Sequence, residues 1–102
     1  MPGRAYGLRS FTLTLNGSAQ QLSSTSIYAA SVEIFSNTGN DLVHVGGSDV
    51  SATIGRPVAA GAVFSVPEAY TRGSNDLYDL ANIYVIGTNT QVIRVIYNTT
   101  IG

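Results

Sequence analysis

This 102-residue chain predicts a single all-β domain, an antiparallel β-sandwich or barrel with a jelly-roll-like layout and six to eight strands. Three observations predict it. Apolar residues recur at every second position through most of the chain, the period of a half-buried strand. Gly, Asn, Asp and Ser interrupt that alternation every 8 to 15 residues, the spacing of turns. No segment longer than one turn carries helical spacing, and no internal repeat or linker divides residues 1–102 into more than one domain.

The elements follow in order. Phe11, Leu13 and Leu15 alternate with Thr12 and Thr14, a strand that stops at Asn16-Gly17. Residues 20–26 are polar and Ser-rich, a short edge strand or loop. Residues 32–35 rise to a turn over 36–41, and residues 42–45 return, which predicts a hairpin. Gly46-Gly47 ends that strand, and 49–54 reads as another extended segment, broken at Gly55-Arg56-Pro57 because proline cannot donate to a central ladder. Residues 62–66 form the next strand. Residues 68–79 are the longest irregular stretch, with Leu77, Leu80 and Ala81 spaced for one short helical turn over 74–81. Residues 83–86 and 91–97, dense in β-branched side chains, predict a closing hairpin over 87–90.

Composition narrows the function. Charged residues make up 11% of the chain against about 25% in ordinary soluble domains. Ser, Thr, Asn and Gly must then cover the surface, which suits strands lying against other protein surfaces, where each buried charge would need a partner. All five cations are arginine: Arg4, Arg9, Arg56, Arg72 and Arg94. Arginine is favoured over lysine at interfaces. The net charge of −1 supplies no basic field for nucleic acid. Cysteine is absent, which removes disulfides and thiolate chemistry together. No stretch reaches the length of a membrane span, and Met1-Pro2-Gly3-Arg4 lacks an apolar signal core, so a soluble, non-exported chain with no membrane partner is expected.

The residues offer little for catalysis, and no catalytic residue, metal site or cofactor is assigned. His44 is the only histidine, set between Val43 and Val45, and reads as an edge or interface residue with its ring hydrogen-bonded. Asn75, Asp76 and Asp79 could surround a hard cation, but their spacing does not match a calcium loop, and Asp serves equally as a cap. Gly46-Gly47-Ser48 lacks the lysine of a phosphate loop and reads as a turn. Six tyrosines against three phenylalanines favour half-buried and interface positions. Two Tyr/Arg groups stand out as interface anchors: Arg4, Tyr6 and Arg9 in an N-terminal arm over 1–9, and Tyr70, Arg72 and Tyr78 around the irregular stretch. Tyr84 and Tyr97 read as core or sheet face.

The order of motifs from residue 32 to 97 resembles small tailed-phage capsid decoration, or cement, proteins. It comprises Leu42-Val43-His44-Val45-Gly46-Gly47-Ser48-Asp49-Val50-Ser51, then Gly55-Arg56-Pro57-Val58, Gly61, Ile83-Tyr84-Val85-Ile86-Gly87 and Val92-Ile93-Arg94-Val95-Ile96-Tyr97. What the resemblance implies is a virion surface β-sandwich, made in the host cytoplasm, that binds the major capsid protein on the outside of an assembled shell. It implies a homotrimer whose 1–9 arm and 68–79 loop touch capsid or sister subunits, so that removing residues 1–9 abolishes binding and leaves the domain folded. The rival reading is a receptor- or glycan-binding head of a phage fibre or tail, with Tyr70, Tyr78 and nearby Asp and Asn residues as a shallow sugar platform. A small hydrolase or metal enzyme is the third class, with Asp76 and Asp79 as the residues that would carry it.

Overall fold

A computed structural model describes residues 5–66 and 78–101, with side chains over 7–66 and 78–98. The described residues form ten strands: β1 (Ala5–Thr14), β2 (Gln20–Gln21), β3 (Tyr28–Ala29), β4 (Ser31–Ser36), β5 (Val43–Gly46), β6 (Arg56–Val58), β7 (Val63–Val66), β8 (Tyr78–Asp79), β9 (Tyr84–Ile86) and β10 (Val92–Ile101). Seven of them have three residues or more. The all-β expectation holds.

Pairing is nested. β1 pairs with β10, β2 with β9, β3 with β8, β4 with β7 and β5 with β6, all antiparallel. Two further pairings, β10 with β4 and β5 with β9, fold this long ribbon into two four-stranded sheets. Their orders are β1-β10-β4-β7 and β2-β9-β5-β6, with β3-β8 as a small third ladder. A doubled-over ribbon rolled into two facing sheets is a jelly roll.

The period-2 pattern decides which side chains meet. Val32, Ile34 and Ser36 on β4, Ile93 and Val95 on β10, and Val43, Val45 and Val85 from the other sheet are all buried. Leu15, Leu22, Ala29, Val58 and Leu80 complete the hydrophobic cluster. Phe11 and Tyr97 pack on its rim edge to face, with ring centroids 6.1 Å apart. Arg56 reaches from β6 to lie 5.7 Å over the Phe64 ring of β7, tying the two edge strands together.

Both predicted hairpins are corrected. β4 and β5 are sequence neighbours but belong to different sheets, and so do β9 and β10. Facing sheets stand about 10 Å apart, a gap that the connections over 37–42 and 87–91 can span. Each crossing lets both of its strands turn an apolar face inward, which a flat hairpin would do on one sheet only. The first crossing is held by Asn40, whose Nδ2 donates to Ser36 Oγ at 3.1 Å and to the Val92 carbonyl at 2.7 Å. Residues 49–54 form a folded loop instead of a strand, with Ser51 Oγ accepting from the amides of Thr53 and Ile54 at 3.2 and 3.0 Å. The strand runs through Pro57 instead. β6 is an edge of its sheet, where the missing N–H costs no ladder bond. Gln20–Gln21 is the expected edge strand; of the helical turn expected over 74–81, residues 74–77 lie outside the described residues, Tyr78–Asp79 are strand, and a 3-10 turn stands at Leu80–Asn82.

Candidate docking face and binding pocket

The outer face of β1-β10-β4-β7 is nearly uncharged. Its cross-strand rows are Leu8, Asn98 and Ser31; then Ser10, Ile96, Glu33 and Ser65; then Thr12, Arg94, Phe35 and Val63. Leu8, Ile96 and Val63 are 77%, 40% and 50% exposed. Four strands at about 4.8 Å spacing and some six residues of length give roughly 300–400 Å². A standard interface buries about 800 Å² per partner. One such face therefore holds weakly alone and gains by repetition. The sequence carried a signal for it, because β10 is apolar on both parities, with Val92 and Ile96 on the outer side of Ile93 and Val95.

The predicted contact residues fall differently. Arg4, Tyr70 and Arg72 lie outside the described residues, as do Asn75 and Asp76. Tyr6 and Arg9 belong to β1, opposite Thr100 and Tyr97. Residues 5–9 are thus the outer half of a ten-residue strand. Deleting 1–9 would strip that strand from β10 along with any arm, so such a deletion does not isolate a contact. Arg9 is exposed and, like Arg94, has no ion pair among the described residues. Tyr78 is half-buried and packs against the core. Arg56 is engaged within the molecule, over Phe64.

His44 departs from its expected setting. Val43 and Val45 point into the core, so His44 faces the outer side of β2-β9-β5-β6, between Ile86 and Pro57. It is 9% exposed, and none of the described residues gives its ring a hydrogen bond. It lines a hollow of about 520 Å³ together with Gly17, Asp41, Leu42, Ala52, Ile86, Gly87 and Thr88. Thr88 Oγ1 donates to Asp41 Oδ2 at 3.0 Å, and the Asp41 amide donates to Gln91 Oε1 at 2.7 Å. Periodicity alone shows that His44 points away from the valines; the distant segments that complete the hollow are not legible.

Asp79 is a cap. Its Oδ1 accepts from the amides of Ala81 and Ile27 at 3.0 and 3.2 Å, and Oδ2 accepts from Ser26 Oγ at 2.8 Å. The Ala81 amide first, then Ser26 and Ile27, hold its pKa below the ordinary value of 3.8 against a smaller opposing effect of burial. A lowered folded pKa stabilises the fold above the unfolded value, and that stability is lost as pH falls through the folded one. Wild type should therefore exceed Asp79→Asn in urea midpoint at pH 6, with the gap closing below about pH 3.8. A gap independent of pH would show that the charge contributes nothing. Among the described residues no three His, Asp or Glu side chains gather where a metal ion could be held, and no helix is long and apolar enough to cross a membrane.

The fold and these two surfaces define a small jelly-roll module. No family model matches the chain, and no curated protein matches it. Among solved structures it is similar to a chain described under "Bacillus endospore appendages form a novel family of disulfide-linked pili". The two are 18% identical with a TM-score of 0.48, over 97% of this chain and 89% of that one. The disulfide linkage belongs to that protein; this chain has no cysteine.

Proposed function

We propose that this chain is a virion structural protein that binds the outside of an assembled phage capsid and stabilises it, acting as a trimer. The observation that supports the reading is the outer face of β1-β10-β4-β7, apolar or neutral except for Arg94 and Glu33. A surface that binds only the assembled lattice lowers the free energy of that lattice by mass action. Three linked copies compensate for a face too small to bind strongly alone. The capsid as partner comes from the motif resemblance over residues 32–97, and jelly rolls also serve as capsid domains, which is fold-level analogy.

The test uses shells stripped of the protein and the Ile96→Glu, Val63→Glu double variant. Both positions are exposed, so the variant should fold with a wild-type circular dichroism spectrum and near-native unfolding midpoint. Two charges in a desolvated contact should weaken rebinding at least about thirtyfold. A folded double variant that decorates shells at full occupancy would refute the docking face.

A further inference from the structure

We propose that the free edge of β1 is a contact between two copies of this chain, whose β1 strands pair antiparallel about a two-fold axis and join two four-stranded sheets into one. The argument starts from where the backbone of β1 points. The Leu15 amide donates to the Gln91 carbonyl at 2.7 Å, and the Leu15 carbonyl accepts from the Thr90 amide at 2.8 Å. Backbone direction alternates along a strand, so Phe11 and Leu13 also bond towards β10, while Leu8, Ser10 and Thr12 aim N–H and C=O the other way. Two further bonds fix the same parity. The carbonyl of Asn98, opposite Leu8, accepts from the Ala30 amide beside β4 at 2.9 Å, and Gln20 Nε2 donates to the outward Thr14 carbonyl at 3.2 Å. No described residue bonds to the outward backbone groups of Leu8, Ser10 or Thr12.

The four edges of the two sheets are not alike. β2 has two residues, β6 has three and includes Pro57, and β7 has four, with Pro67 next in sequence. Short strands and proline are means by which a sheet edge avoids pairing with another chain. β1 has ten residues, Ala5–Thr14, with neither proline nor lysine. Its far end is closed in another way. Gln20 Oε1 accepts from the Asn16 amide at 2.9 Å while Nε2 serves Thr14, so one side-chain amide stands in for a strand there. The open stretch is Leu8 to Thr12.

The occupant is a second copy because this edge is complementary to itself. With Ser10 opposite Ser10 of the second copy, Leu8 faces Thr12 in both directions, and each such pair exchanges both of its N–H···O=C bonds. Arg9 then stands opposite Phe11; a shift that set Arg9 opposite Arg9 would oppose like charges. Leu8, 77% exposed in the single chain, gains a cross-strand neighbour. A two-fold contact closes at two copies, so beside three-fold association it would join one trimer to the next, through the sheet edge and not through the outer face.

The experiment measures the mass of the whole chain by sedimentation equilibrium from about 10 µM to about 1 mM. Ser10→Pro removes an outward N–H and no bond to β10, so it should fold with a wild-type circular dichroism spectrum and have half the wild-type mass. Leu8→Lys with Thr12→Lys, at two exposed positions, opposes like charges across the joined edge and should raise the dissociation constant at least about tenfold. The chain has no cysteine, so Ser10→Cys reports the register. A short bis-maleimide should link two copies through Ser10→Cys but not through Thr14→Cys, where the two thiols would stand about 27 Å apart. The proposal is overturned if wild type has the mass of Ser10→Pro throughout that range, or if either folded edge variant associates like wild type. It is equally overturned if Thr14→Cys is linked as readily as Ser10→Cys. Exchange of the Ser10 amide as slow in the dissociated double-lysine variant as in wild type would also overturn it, since the chain itself would then cover the edge. The Ile96→Glu, Val63→Glu variant should keep the wild-type mass, so failure of shell docking and failure of edge pairing are separate results.

Discussion

Replacing Ile34 with alanine should lower the unfolding free energy by about 2–5 kcal/mol. Ile34 is wholly buried, stands between Val95 and Phe64 in the middle of its sheet, and belongs to the cluster that both sheets share. Truncation removes apolar contact and leaves a void that rigid neighbours on two strands cannot close. Domains of this size hold together by only about 5–15 kcal/mol, so the variant should melt some 10–30 °C lower. Glu33→Ala is the control: one position away, exposed, and expected to stay within about 0.5 kcal/mol of wild type. Urea unfolding of the pair checks the result. Equal losses at both positions would mean the strand does not turn Ile34 inward.

Gly55→Ala should be the second severe substitution, at about 2 kcal/mol or more. Gly55 has φ +119°, a backbone state that side chains rarely enter, and an added Cβ would lie 2.7 Å from Val50 Cγ2 and 2.8 Å from the Val45 carbonyl oxygen. The side-chain collision could be relieved by Val50→Ala; the carbonyl collision could not. The double variant should therefore recover only part of the loss. Gly39→Ala provides the contrast, because a Cβ there meets nothing within 4 Å, and its stability should be close to wild type.

These positions show what the sequence discloses and what it withholds. Glu33 and Arg94 mark the outer parity of 32–35 and 92–97, although apolar residues occupy both parities of the latter, and Pro57, which reads as a strand break, stands within an edge strand. Pairing partners are not encoded locally. Asn37, Gly39 and Asn40 read as a hairpin turn, yet Asn40 spends its amide on Ser36 and on the distant Val92 carbonyl, and the chain crosses to the other sheet. Local turn chemistry fixes that the chain bends; the shared core decides where it goes next. The same holds for the surfaces. Ile96 and Val63 are visible as apolar residues, but their place on one outer face depends on β10 standing between β1 and β4. Asp41 and His44 are three apart in sequence, and residues from distant segments, Gly17, Ala52 and Ile86 to Thr88, turn their neighbourhood into a hollow.

The nested ladder also governs how the chain can reach this state. Joining positions 45 and 56 first closes a short loop, whereas joining 5 and 101 directly costs about 2 kcal/mol more in chain entropy. Folding that starts at the innermost ribbon and zips outward avoids that penalty at each step. During synthesis, however, β10 emerges after every other strand of its sheet, so β1 and β4 wait with unpaired edges for the one strand that fits between them.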